Sequence, residues 1–112
     1  MNMKSKNLII SYDKKSDMLY VKKASRPISH SLDIGEMIVD FDSSNRVVGL
    51  EVFNFSKILK VKKSEIDDIL NARILEKRNR VENLMIVGVY VLVKLQKRKK
   101  IEIELENRIK IK

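Results

Sequence analysis

The segment DFDSSNRVVGLE, residues 40–51, is the part of the sequence whose side chains have the spacing of a metal site. An EF-hand places oxygen ligands at positions 1, 3, 5 and 12 of its calcium loop. Those positions are occupied here by Asp40, Asp42, Ser44 and Glu51. An EF-hand also needs a helix on each side and glycine at position 6, which is Asn45 in this chain. Strand-like alternation flanks the segment instead, so we predict a β-hairpin, with a calcium loop as the weaker alternative.

Other residue types that carry chemistry are scarce. His30 is the single histidine and cysteine is absent, so one chain cannot build a His-carboxylate-Ser triad, a multi-His metal site or a thiolate metal site. Three glycines are too few for a phosphate-binding loop. We interpret His30 as a structural residue at a strand edge, and we expect neither enzyme activity nor a cofactor.

Length and composition indicate one small domain spanning residues 1–112. Without cysteine there is no disulfide framework, and no signal-like segment is evident at the N-terminus, which favours a cytoplasmic location. The longest apolar run, residues 84–93, is half of the roughly 20 residues that a membrane helix needs. We therefore expect no contact with a membrane.

The first sixty residues predict an antiparallel meander of short strands. LIISY and MLYVKK flank the turn DKKSD, and EMIVDFD and RVVGLEVF flank the turn around Asn45. Apolar residues alternate with polar ones along these segments, which is the period of a half-buried strand. The predicted fold class is α+β, with mainly antiparallel sheet.

Two motifs in this region resemble a known family. YDKKSDMLYV (residues 12–21) followed by IVDFDSSNRVVGLEV (38–52) and Phe55-Ser56 is similar to small prokaryotic proteins catalogued as domain of unknown function 2283. The resemblance covers residues 8 to about 60, although the family usually has glycine where Asn45 stands. It implies a compact antiparallel sheet domain without an established activity. The matching positions are Tyr12, Asp13, Asp17, Leu19, Tyr20, Asp40, Asp42, Gly49 and Glu51.

Residues 61–112 form an extension to this module. After Ser64, apolar residues at helical spacing, with acids early and bases late, predict an α-helix at about 65–79. LMIVGVYVLVKL and IEIELENRIKIK then predict a long β-hairpin at about 84–111, joined across QKRKK.

The first strand of this hairpin is apolar on both faces, which a small protein cannot easily cover alone. We therefore expect self-association, as a homodimer or higher oligomer, through this strand. The alternative is that the helix covers one face and the N-terminal sheet the other. The predicted interface residues are Ile86, Val87, Val89, Val91 and Val93.

The net charge of +9 lies almost entirely in the second half of the chain. Residues 1–56 hold eight Lys and Arg against seven Asp and Glu, whereas residues 57–112 hold sixteen against eight. Basic clusters bind phosphates, but lysine-rich turns also keep sheet edges soluble, and no aromatic residue interleaves these clusters. The candidate nucleic-acid residues are Lys94, Lys97, Arg98, Lys99 and Lys100.

These observations leave two hypotheses for function. The first is a small self-associating binding or regulatory module that acts through protein-protein contacts with itself or with a small partner protein. The resemblance adds an antitoxin-like role to this hypothesis, because genes of the family often lie beside genes for small toxin-like proteins. The second is a nucleic-acid-binding protein that uses the basic C-terminal half, with nonspecific binding expected in either case.

Overall fold

The computed structural model describes residues 7–110, which form two antiparallel β-sheets packed face to face. Strands outnumber helices, and a C-terminal hairpin closes the chain, as the sequence predicts for an α+β protein. Among the described residues, no helix is long and apolar enough to cross a membrane.

The N-terminal sheet has five strands. Its strand order is β1-β2-β5-β4-β3, with every neighbouring pair antiparallel. The predicted meander is therefore wrong in its order, because β5 pairs with both β2 and β4 at the centre of the sheet. Strand β5 is the most completely buried of the five, and the central position removes it from water on both edges. The strands are β1 (Leu8–Asp13), β2 (Met18–Lys23), β3 (His30–Asp33), β4 (Met37–Phe41) and β5 (Val47–Val52).

A β-bulge changes the pairing of β4 and β5 next to their connecting turn. Asp40 lies opposite Gly49, but Phe41 lies opposite Val47, so Val48 is the extra residue. The bulge brings Val47 into the core beside Phe41, which simple alternation along the sequence does not predict.

The one α-helix among residues 7–110 is not where the sequence predicts it. Helix α1 (Phe55–Leu59) follows β5 directly and inserts Phe55 and Leu59 into the core. Residues 65–79, the predicted helix, instead form strand β6 (Ile66–Asn79), preceded by a short 3-10 turn at Lys63–Glu65.

Two irregularities in the pairing of β6 explain this error. The next strand, β7 (Leu84–Leu95), pairs with β6, and two residues of β6, Asp67 and Leu70, have no partner opposite them. Each extra residue shifts the alternation by one. The buried residues at this end of β6, Ile66, Ile69 and Ala72, therefore recur every third residue, as on one face of a helix.

The predicted hairpin at about 84–111 is confirmed over residues 84–110, and residue 111 lies outside the described residues. Strand β8 (Lys100–Lys110) pairs with β7 along its whole length without a register shift, and a 3-10 turn at Gln96–Arg98 joins them. The C-terminal sheet has the order β6-β7-β8. Gly88 permits this close pairing, because a Cβ atom there would overlap the carbonyl oxygen of Leu105 on β8.

The core lies between the two sheets, where β6 and β7 face the N-terminal sheet. The inner face of β7 supplies Val87, Val89, Val91 and Val93, all with no exposed surface. Four of the five predicted interface residues therefore lie inside the chain, and the N-terminal sheet covers them. The physical reason is that one face of β7 completes the core, as the alternative interpretation of this strand expects. Ile86 lies on the opposite face and is half-buried.

This burial predicts different outcomes for neighbouring residues of β7. Val91→Lys places an unpaired ammonium between the sheets, which we expect to lower the free energy of unfolding by at least about 4 kcal/mol or to abolish folding. Leu92→Lys, on the half-buried outer face opposite Glu102, should cost less than roughly 1.5 kcal/mol. Urea unfolding followed by circular dichroism measures both, and equal losses would contradict the placement of the core.

Candidate functional site

Two of the motif residues shared with the family meet at a buried carboxylate, Asp17. The Tyr12 hydroxyl donates to Oδ1 of Asp17 at 2.5 Å, and the Ser56 amide donates to the same oxygen at 2.9 Å. The Ser56 hydroxyl donates to Oδ2 at 2.7 Å, and the Phe55 amide donates to the Asp17 carbonyl oxygen at 3.0 Å. Asp17 thus fastens the start of α1 to the turn between β1 and β2.

The electrostatics of this network fit a structural role. Burial raises the pKa of Asp17, but hydrogen bonds from Tyr12 and Ser56 outweigh it and leave the pKa below its ordinary value. Burial and the Asp17 carboxylate raise the pKa of Tyr12. A tyrosine held neutral beside an ionised acceptor is a stable donor and a poor general base.

Asp42, a calcium candidate, organises the turn between β4 and β5. Its Oδ1 accepts from the amides of Ser44 at 2.8 Å and Arg46 at 3.0 Å, and its Oδ2 accepts from Arg26 at 2.7 Å. The Arg46 and Ser44 amides, with the Arg26 guanidinium, hold the pKa of Asp42 below its ordinary value. Both carboxylate oxygens are therefore occupied by protein donors.

The same turn is tied to the C-terminal sheet. Arg46 lies 3.3 Å from the carboxylate of Glu76 on β6, and Arg78 lies 3.1 Å from the same carboxylate. Arg78 also donates to the carbonyl oxygen of Asn45. The segment whose spacing suggests calcium binding thus joins the two sheets.

Asp40 and Glu51 form a separate acidic pair on the outer face of the N-terminal sheet. Asp40 is 1% exposed, and its Oδ1 accepts from the Ser31 hydroxyl at 2.6 Å. Its Oδ2 has no hydrogen-bond donor among residues 7–110. A Cβ atom at Gly49 would lie 2.9 Å from this oxygen, so glycine there leaves room for the carboxylate.

Glu51 supplies the missing donor when it is protonated. Burial, the negative charge of Asp40 and a hydrogen bond with Asp40 raise the pKa of Glu51. Burial and the charges of Asp40 and Glu51 also raise the pKa of Tyr20, which lies opposite Glu51. Asp40 and Glu51 are thus neighbouring acids, and Asp40 disfavours ionisation of Glu51.

The four calcium candidates therefore do not converge. Asp42 and Ser44 belong to the turn, whereas Asp40 and Glu51 point from the strands. Within residues 7–110, no group of three or more His, Cys, Asp or Glu side chains is placed to hold a metal ion. The β-hairpin interpretation of residues 40–51 is confirmed.

His30 lies on the edge strand β3, as expected from the sequence. Its ring stacks on Phe41 with 5.2 Å between the ring centroids and an interplanar angle of 15°. The side chain is exposed.

Several further exposed features belong to the C-terminal sheet. Strand β8 is an edge strand whose outer-face residues are exposed and whose inner-face residues are only half-buried. Strands β6 and β7 face the N-terminal sheet, and β8 lies beside β7 on the side away from β6. The half-buried apolar side chains are Ile101, Ile103, Leu105 and Ile109.

The outer face of this sheet carries a row of half-buried side chains on β7. Arg73 of β6 lies over the Tyr90 ring at 4.6 Å from its centroid, and Tyr90 donates to Glu102 of β8 at 3.1 Å. Leu84, Ile86 and Leu92 continue the row.

The basic tip, defined as Lys94, Lys97, Arg98, Lys99 and Lys100, lies around the turn between β7 and β8. Four of these residues are exposed, and Lys94 is half-buried and 3.5 Å from Asp67. Lys97 and Arg98 adopt left-handed backbone conformations. These residues surround the turn of the predicted hairpin, and Lys97 and Lys99 line a cavity with Lys62, Ser64 and Glu65. Their binding of nucleic acid stays a prediction.

A second basic cluster lies at the other end of the sheet. It lines an open cavity of about 590 Å³ beside the turn between β6 and β7. The sequence analysis did not select this cavity, because only the sheet register places Arg108 of β8 beside Lys77, Arg78 and Arg80. The lining residues are Lys77, Arg78, Asn79, Arg80, Glu82, Leu84, Ile86 and Arg108.

Comparison with known proteins finds that the N-terminal sheet is similar to a known family. Residues 9–56 match the family described as Protein of unknown function (DUF2283), which confirms the resemblance carried by the two motifs. The uncharacterized protein MJ0789 of Methanocaldococcus jannaschii is 37% identical over 57 residues. That match covers 51% of this chain and 49% of the relative, so the chain spans about half the length of the curated relative it matches. No solved structure matches the chain.

The acid pair makes a pH-dependent prediction. Because the pKa of Glu51 is raised on folding, its protonation stabilises the fold below the ordinary value of 4.5, and this contribution is lost as the pH rises through the folded-state pKa. Glu51→Gln keeps a donor for Asp40 at every pH. We expect the free energy of unfolding of the variant to exceed that of the wild type by roughly 1 kcal/mol near pH ~7 and to be close to it near pH ~4. Glu36→Gln, on an exposed glutamate, is the control. A constant difference across the pH range would contradict the pairing.

Proposed function

We propose that the protein is a small self-associating module that binds proteins through its C-terminal sheet. The observation that carries the proposal is strand β8, an edge strand of eleven residues with four half-buried apolar side chains on one face. Strand edges that offer free backbone groups and apolar side chains are sites where another strand is added. A protein partner supplies both the hydrogen bonds and the apolar cover.

The inner face of β8 supports this proposal more directly than the core of β7 does. The valines of β7 are already covered by the N-terminal sheet, so they leave no surface for a partner. Ile101, Ile103 and Leu105 are next to them on the neighbouring strand and stay half-buried. A second chain that adds a strand beside β8 extends the same core outward.

The chemistry of the described residues gives no support to catalysis. The buried carboxylate of Asp17 is saturated with hydrogen bonds, and the Asp40-Glu51 pair lies under side chains of a sheet face rather than in a cavity. We therefore propose a binding role without enzyme activity. An antitoxin-like role is one form of this proposal, in which the bound protein is a toxin.

Analytical ultracentrifugation tests the proposal. The wild type should sediment as a species of 13.1 kDa when dilute and shift toward twice that mass with increasing concentration up to about 200 µM. Ile103→Asn should weaken the association by at least ~10-fold, because it removes apolar cover at the edge.

The matched control is Ile9→Asn, which alters an exposed isoleucine on β1, an edge strand of the other sheet. The control should associate like the wild type, and circular dichroism verifies that both variants are folded. A wild type that stays monomeric at about 200 µM overturns the proposal.

The basic cavity favours nucleic acid as a second candidate ligand. However, this cavity and the basic tip lie at opposite ends of β7, roughly 36 Å apart for a strand of this length. The exposed face of β8 between them carries Glu102, Glu104 and Glu106. A phosphate backbone following the sheet meets an acidic stretch between the two clusters, which weakens this candidate.

Salt dependence separates nonspecific from specific nucleic-acid binding. We expect weak binding to DNA or RNA that fades between about 50 and 200 mM salt, as counterion release loses its entropic advantage. Changing Lys97, Arg98, Lys99 and Lys100 to glutamine should abolish it and leave folding unchanged, since these side chains are exposed. Retention at about 200 mM salt with on the order of 10³-fold sequence preference, measured by fluorescence anisotropy, would favour the second candidate.

A further inference from the structure

Strand β8 differs from the other edge of its sheet. It pairs with β7 over eleven residues without a shift in register, and its backbone is regular throughout. The opposite edge, β6, carries two bulges. Bulges, short strands and covering segments protect strand edges from unwanted pairing, and β8 has none of them among the described residues.

The charges on the exposed face of β8 are segregated along the strand. Glu102, Glu104 and Glu106 come first, and Arg108 and Lys110 follow. An antiparallel second copy of β8 runs in the opposite direction, so its basic end lies beside the acidic end of the first. Opposite charges on directly opposed residues of an antiparallel pair stabilise it, and like charges destabilise it.

The inner face of β8 carries one polar residue in an apolar row. Asn107 lies between Leu105 and Ile109 and is half-buried. Opposite an apolar side chain of another strand, its amide would lose hydrogen bonds to water without replacement. Opposite a second asparagine, each amide both donates and accepts.

From both observations we infer that β8 pairs in antiparallel fashion with β8 of a second copy about a twofold axis through Asn107. In this register Asn107 faces itself, and Glu104 and Glu106 lie opposite the partner's Lys110 and the partner's Arg108. Leu105 lies opposite the partner's Ile109. The two C-terminal sheets then form one continuous sheet of six strands. The inference specifies the partner and the contact of the proposed self-association, and it rests on that proposal.

Other registers conflict with the side chains. Centring the pair on Leu105 places Glu104 opposite the partner's Glu106 and Lys100 opposite the partner's Lys110. Centring it on Glu106 places this residue opposite itself and Asn107 opposite the partner's Leu105. A twofold axis between antiparallel strands places one residue opposite itself. Among such registers that pair seven or more of the described residues of β8, the Asn107-centred register alone sets no like charges opposite one another.

Disulfide formation tests the register directly, because the chain contains no native cysteine. Directly opposed residues of an antiparallel pair have Cα atoms about 4.5–5.5 Å apart, within the roughly 4.4–6.8 Å that a disulfide spans. Asn107→Cys should therefore form a covalent dimer under mild oxidation, seen by non-reducing electrophoresis.

Leu105→Cys is the matched control. In the inferred register the two copies of residue 105 are offset by four residues along the strands, roughly 13 Å, so it should stay uncrosslinked. Efficient crosslinking through residue 105 but not residue 107 overturns the inferred register.

Charge exchange gives a second test that needs no covalent bond. Glu106→Arg and Arg108→Glu each set like charges opposite one another twice in the dimer, and each should raise the dissociation constant by at least ~10-fold. The double variant restores opposite charges and should return to within about threefold of the wild type. Glu36→Arg, which makes the same charge change on an exposed residue outside the C-terminal sheet, should have no effect.

The outcomes distinguish this inference from the proposal beneath it. A monomeric wild type in the ultracentrifuge overturns both. A wild-type dimer that is insensitive to both charge changes and does not crosslink at residue 107 overturns the register and leaves self-association standing. A dimer that crosslinks at residue 107 and recovers in the double variant supports both.

Discussion

The burial of the inner face of β7 is the constraint on which the rest of the structure depends. Its four valines lie between the two sheets without exposed surface, and strands β6 and β8 are held in place by pairing with β7. Each buried valine contributes about 1.5–3 kcal/mol relative to an exposed one. The C-terminal sheet therefore buries this face against the N-terminal sheet, and its β7-β8 hairpin alone would be marginal in water.

Polar contacts determine which elements are joined at the edges of this apolar core. Asp17 joins α1 to the first hairpin. The Glu76 carboxylate forms ion pairs with Arg46 of the N-terminal sheet and with Arg78 of its own strand. The Asp17 contacts explain why Ser56, 39 residues further along the chain, belongs with Tyr12 and Asp17 in one motif. In this chain the residues of this motif join a helix to a turn.

The sequence predicts local structure well where pairing is regular. Strands β1, β2, β7 and β8 follow from alternation and apolar runs, and the hairpin at residues 40–51 follows from its flanks. The helix predicted at 65–79 fails because two extra residues in β6 turn a period of two into a period of three. Strand order fails for a different reason, since the pairing of β5 with β2 depends on burial that adjacent segments do not reveal. Likewise, the acid pair of Asp40 and Glu51 depends on the sheet register, which the sequence does not reveal. Two carboxylates on one face of the predicted sheet are the one hint, because burial and the charge of Asp40 raise the pKa of Glu51.

The register shifts of β6 make the two edges of the C-terminal sheet unequal. Both shifts lie between Ile66 and Asn71, where a regular strand cannot match the hydrogen bonds of the edge, whereas residues 71–79 pair in regular register. Fibres form when each molecule offers two different edges that bind one another, because addition then repeats without end. In the dimer that we propose, the symmetric pairing of β8 with itself uses one edge and closes after a single addition, and the shifted end of β6 works against growth at the other edge.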